Sequence, residues 1–148
     1  MTLVTEVTNH QASTPEATVA GAMSNRPLSG TASADDYAQI NHLIRAYFTG
    51  LHEGDSERLR RIFHADAVLK APGLRRTLAE WLALVNERET PQQRGDAFSY
   101  QLLAMEVLNG QAMVKVLCPL LGRTYIDFLG LLKEQGKWLI VNKMYADL

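Results

Sequence analysis

From Phe98 to Tyr145 the chain reads as four apolar, strand-like runs separated by tight turns, and this pattern limits the available folds more than any other. The runs fall near 98–107, 111–119, 123–133 and 137–145, punctuated by Asn109-Gly110, Leu121-Gly122 and Glu134-Gln135-Gly136. Asn-Gly between alternating apolar residues is a strong hairpin signal, because a tight hairpin turn needs positive φ. The second half of the chain is therefore predicted to be an antiparallel meander. In its third run Tyr125, Asp127, Leu129 and Leu131 share one face, and Ile126, Phe128, Gly130 and Leu132 share the other. Both faces are largely apolar, so both are expected to be covered, one by a helical layer and the other by a second subunit. Within that strand a carboxylate, Asp127, stands out.

The first half has a helical period. Ser33 can cap a helix with Asp35 and Asp36 in its first turn. Tyr37, Ile40, Ile44, Tyr47, Phe48 and Leu51 form one apolar stripe, which Gly54 ends. Asp55 caps a short second helix with Leu59, Ile62 and Phe63 on its buried side. A turn then leads to a short strand, about Ala67 to Ala71, stopped by Pro72-Gly73. Thr77-Leu-Ala-Glu80 is a capping box opening a third helix that buries Leu78, Trp81, Leu82 and Val85. Pro91 and Gly95 mark a loop. Helices first and a meander afterwards specify an α+β domain over 34–148, with the helices packed on one face of the sheet. Residues 1–33 are rich in Ser, Thr, Ala and Asn without an apolar period, and are expected to form a flexible tail. The alternative is an arm that docks Leu3, Val4 and Val7 on a partner subunit.

Composition narrows the function. A net charge of -1, with the Arg58, Arg60, Arg61 and Arg75, Arg76 runs diluted by acidic neighbours, argues against nucleic acid. No run reaches the ~20 apolar residues of a membrane span, and no signal peptide is visible, so a cytoplasmic location is expected. The one cysteine, Cys118, lies in an apolar run and is read as a buried, inert thiol. His10, His42, His52 and His64 lack the close spacing of metal ligands, so neither a metal nor a cofactor is expected.

Two stretches, "AYFTGLHEGDSERLRRIFHADAVL" and "RTYIDFLGLLKEQGKWLIVNKMY", resemble the opening and the closing hairpin of the nuclear transport factor 2-like superfamily. The resemblance spans about residues 35 to 146 and is nearest to its lumazine-binding-like branch, grouped with polyketide-cyclase-like and ketosteroid-isomerase-like proteins. It implies a cone-shaped curved antiparallel sheet, three N-terminal helices covering the concave face, a deep pocket there, and a homodimer through the convex face. It also turns the Asp127 face toward the pocket.

Desolvation resists ionisation of a carboxyl group in such surroundings, and a neutral Asp donates a hydrogen bond. Ketosteroid isomerases use a Tyr and a protonated Asp in this way. The resemblance maps that pair onto Tyr47 and Asp127. Where those isomerases carry their base, this chain has Ala71, with Ala67 and Leu69 as pocket-facing neighbours and Lys70 pointing away. His64 is the nearest replacement base. The candidate catalytic groups are thus Tyr47, Asp127 and His64, and the candidate ligand-binding set is Tyr47, Leu69, Trp81, Tyr125, Asp127 and Leu129. The alternatives are a core Tyr47 and an Asp127 ion-paired with Arg123, Lys143 or Arg45. Three functions follow: binding of a small apolar oxygenated or aromatic molecule; isomerase, cyclase or dehydratase chemistry on a carbonyl compound; and a dimeric scaffold. The sequence does not decide whether the protein is an enzyme.

Overall fold

The computed structural model describes residues 32–148. The expected tail, with its docking arm at Leu3, Val4 and Val7, lies outside the described residues. Two helices come first, α1 (Ala34–Glu53) and α2 (Ser56–Ile62). A hairpin of β1 (Phe63–Ala71) and β2 (Leu74–Thr77) precedes α3 (Leu78–Glu87) and the one-turn α4 (Pro91–Arg94). The meander of β3 (Gln101–Leu108), β4 (Gln111–Leu120), β5 (Arg123–Glu134) and β6 (Lys137–Asp147) follows. The class is α+β, as expected.

The strand order is β2-β1-β6-β5-β4-β3. The meander is antiparallel, but β1 joins β6 in parallel, with Val68 beside Asn142 and Leu69 beside Lys143, so the sheet as a whole is mixed. No turn connects these two strands, so no local signal dictates their relative direction. Register shifts at Phe63/Val68, Leu102/Ala104 and Gly130/Leu131 bend the strands into a curved, unclosed sheet. Two meander turns have positive φ at both central residues, Leu121-Gly122 (53° and 80°) and Gln135-Gly136 (50° and 77°). Pro72-Gly73, expected to stop a strand, instead turns it back into β2, whose Leu-Arg-Arg-Thr sequence carries no apolar alternation. The expected loop at Pro91 holds α4, opened by its own capping box from Thr90 and Gln93.

The helices cover the concave face. Ile40, Leu43, Ile44, Tyr47, Phe48 and Leu51 of α1 are buried together with Leu78, Trp81, Leu82 and Val85 of α3. Full burial of each such aliphatic side chain contributes about 1.5–3 kcal/mol. Tyr37, expected in the α1 stripe, is 40% exposed. In that first turn Asp36 is the residue that reaches the sheet. Gly54 ends α1 in the left-handed region, and a Cβ there would collide with Thr90 Cγ2, so α1 and α4 can meet only over a glycine.

Asp36 fastens the start of α1 to the last hairpin. Its carboxylate accepts the Ser33 N–H at 3.1 Å, the Lys133 ammonium at 2.8 Å and the Trp138 indole N–H at 3.0 Å. Lys133 first, then Trp138 and Ser33, hold this carboxyl well below the usual carboxylate range. A carboxyl depressed in the folded state stabilises the fold fully above its unfolded value, about 3.9, and loses that contribution as pH falls further. Asp36→Asn is therefore expected to lower the urea midpoint at neutral pH. The gap to the wild type should narrow as the pH is taken below about 4. A gap that stays constant across that range contradicts the assignment.

Candidate functional site

Three elements bring polar groups together in the hollow of the sheet. α1 supplies Tyr47, β5 supplies Asp127 and β6 supplies Lys143. The Tyr47 hydroxyl donates to Asp127 Oδ2 at 2.6 Å, across 80 residues of sequence. The Lys143 ammonium lies 3.6 Å from the same oxygen. Asp127 and Lys143 are only 2% and 7% exposed, so neither charge is solvated in the ordinary way. Lys143 Nζ is also ringed by aromatic faces, 4.5 Å from the centroid of Trp81, 5.4 Å from Tyr47 and 5.6 Å from Tyr145. Desolvated cation–π contacts of this kind stabilise a buried ammonium.

Asp127 thus accepts from Tyr47 with an ammonium beside it, a different arrangement from the hydrogen-bond donor that the ketosteroid-isomerase resemblance implied. Of its three expected cations, Lys143 is the partner. Arg123 pairs instead with Asp147 at 2.7 Å, and Arg45 forms no ion pair among the described residues. Burial, then the nearby Asp127 charge, pushes the Tyr47 phenol well above its ordinary value and keeps its proton on oxygen. The same two causes push the Cys118 thiol up, which fits the reading of an inert cysteine.

A cavity of about 130 Å³ opens beside this cluster. Leu51, Trp81, Leu84, Cys118 and Leu120 give it apolar walls. Arg76, Arg88, Asp127, Lys143 and the phenols of Tyr125 and Tyr145 give it polar ones. Of the residues expected to contact a ligand, Trp81, Tyr125 and Asp127 line it. Tyr47, Leu69 and Leu129 do not; they are 0–1% exposed core residues, with Tyr47 behind Asp127. His64 is outside the lining as well, half-exposed at the start of β1, where its ring pairs with Asp66. Lys70 does point away, into a surface hollow with Phe128 and Met144.

The sequence reading gave no site role to Leu51, Arg76, Leu84, Arg88, Cys118, Leu120 and Tyr145. Arg88 left a signal: Trp81, Val85 and Arg88 follow one another at helical spacing, so the arginine continues the buried stripe of α3. Among the described residues no group of three or more His, Cys, Asp or Glu side chains forms a metal cluster. No described helix is long and apolar enough to cross a membrane.

Helices laid over a curved, unclosed sheet, with a polar cluster in the hollow, define a nuclear transport factor 2-like protein. More narrowly, the chain belongs to the family described as "Putative lumazine-binding", whose profile matches residues 35–146. An NTF-2 like protein of unknown function from Silicibacter pomeroyi DSS-3 is 23% identical, with TM-score 0.64 over 80% of this chain and 100% of that one. Another, from Shewanella baltica OS155, is 19% identical, with TM-score 0.67 over 80% and 98%. An uncharacterized protein with a cystatin-like fold from Caulobacter vibrioides is 18% identical, with TM-score 0.53 over 77% and 90%. At these identities the likeness concerns the fold. No curated protein matches the chain.

Removing one partner of a buried ion pair strands the other charge, at a cost of about 3–5 kcal/mol. Asp127→Asn and Lys143→Met are each expected to destabilise the protein on that scale, although the amide oxygen of the first variant can still accept from Tyr47. The double variant should lose clearly less than the sum in a denaturation cycle. Additive losses mean that the two side chains do not interact.

Proposed function

We propose that the protein is a binding module whose cavity holds a small, mostly apolar, oxygenated or aromatic molecule against Asp127, with Tyr47 fixing that carboxylate from behind. The observation that carries this reading is the cavity lining itself. It combines apolar walls with a few convergent polar groups, the usual make-up of a ligand site. Its size bounds the ligand. Drug-sized ligands occupy about 300–1,000 Å³, whereas an engineered apolar cavity of about 150 Å³ takes up benzene. A single ring or an equivalent short chain is the right scale for about 130 Å³.

An isomerase, cyclase or dehydratase needs a free proton acceptor facing its carbonyl substrate. The lining contains no His or Glu, and its one Asp is already engaged by Tyr47 and Lys143. Binding without chemistry is therefore the better-supported reading.

Leu84 is 41% exposed while lining the cavity, so it stands at the rim. Leu84→Trp is expected to leave stability within about 0.5 kcal/mol, as surface changes usually do. It should reduce uptake of single-ring compounds at least tenfold, measured by ligand-observed NMR on both proteins. Equal uptake by the two would count against this cavity as the site.

For the convex face we propose a second copy of the chain. Lys115, Phe128 and Met144 stand directly opposite one another across β4, β5 and β6. Phe128 and Met144 are 39% and 42% exposed there, and Met113 beside them is 48% exposed. Exposed Met113, Phe128 and Met144 together at the centre of a sheet call for a cover. Phe128→Glu is expected to convert a dimer to a monomer in sedimentation velocity. A wild-type protein that sediments as a monomer at tens of micromolar would exclude this interface.

A further inference from the structure

Arg88 is a half-buried cation without an ion-pair partner among the described residues. It follows α3 directly, its backbone N–H closing the helix on Leu84 O at 3.2 Å, and its side chain lines the cavity. Its Nη2 atom is sealed from solvent without a hydrogen-bond partner among the described residues. No ion pair among those residues includes it. Burial acts on it first, and the neighbouring titratable groups that oppose burial are the phenols of Tyr125, Tyr47 and Tyr100. Two of these are already engaged, since the Tyr47 hydroxyl donates to Asp127 and the Tyr100 hydroxyl is hydrogen-bonded to His52 Nδ1 at 3.2 Å.

An arginine cannot escape this position by losing its proton, because the guanidinium stays charged throughout the accessible pH range. Burial does lower its proton affinity, but from a very high starting value. A half-buried charge without a counter-ion is costly, and a sealed polar atom in a native structure calls for an explanation. The charge inventory of the cavity agrees. Three cations, Arg76, Arg88 and Lys143, face it, against the single carboxylate of Asp127, which Lys143 already counters.

We propose that Arg88 is the anion receptor of the cavity and that the ligand is a small organic carboxylate. The carboxylate docks on the guanidinium, and the apolar body lies against Trp81, Leu51 and Leu120. This rests on the reading of the cavity as a ligand site and specifies the ligand's chemistry. The guanidinium offers a carboxylate N–H donors fixed in one plane, which a point charge such as Lys143 does not provide. The bond between Arg88 and the carboxylate is the fixed end of the ligand, and the ring or short chain is the variable end.

Benzoate and its neutral isostere benzamide separate the possibilities when each is titrated calorimetrically into the full chain at neutral pH. Benzoate should bind at least tenfold more tightly than benzamide. Arg88→Gln should weaken benzoate at least tenfold and leave benzamide within twofold. Without ligand, Arg88→Gln should melt at or above the wild-type temperature, because it removes an unpaired charge, whereas a structural arginine would lower it. Benzamide binding as tightly as benzoate, or benzoate indifferent to Arg88→Gln, overturns the assignment while the cavity reading survives. Failure of both probes, together with failure of neutral single-ring compounds in the Leu84→Trp comparison, overturns both.

Discussion

A carboxylate almost wholly buried among apolar side chains is the constraint around which the hollow of this protein is organised. Asp127 lies on the buried face of a strand whose neighbours are Leu129 and Leu131, and a charge there is tolerable only with partners. Tyr47 and Lys143 supply them, one from the first helix and one from the last strand. Each partner is itself polar and buried, so the three are interdependent. Tyr47 without Asp127 is a phenol with no acceptor, and Lys143 without Asp127 is an isolated ammonium among aromatic rings. The cluster therefore fixes where α1 sits over β5 and β6. It also leaves beside it a space that apolar packing alone would have closed.

The two faces of the sheet differ in what covers them. The concave face carries Val114, Val116 and Cys118 of β4, Leu129 and Leu131 of β5, and the polar cluster, all beneath helices. The convex face has no helical cover among the described residues and presents Met113, Phe128 and Met144. One face of the sheet is thus closed by the chain's own helices, and the other keeps apolar side chains at its surface.

Much of this was legible in the sequence, and the exceptions have a common cause. Strong local chemistry was readable: the Ser33 and Thr77 caps, the glycine that ends α1, and the three hairpin turns all stand where the pattern put them. The contact of Tyr47 with Asp127 was reached only through a family resemblance, since 80 residues separate them. Non-local or irregular features were not legible. The parallel pairing of β1 with β6 has no turn to announce it. The irregularity at Gly130/Leu131 breaks the alternation of β6, so that Trp138 and Ile140 share an inward face with Lys143 and Tyr145, against simple odd-even counting. Arg88 sat at a readable spacing, but a charged residue on a buried stripe is easily taken for the end of the helix.

The pairing of β1 with β6 has a consequence for how the protein is made. The strand that opens the sheet must wait for the strand that closes it, with about seventy residues in between. Lys143 and Tyr145 arrive with that last strand. A chain emerging from the ribosome therefore holds Asp127 without its counter-ion and the apolar stripe of α1 without its full sheet. The hollow is complete only once β6 has been made and has paired with β1.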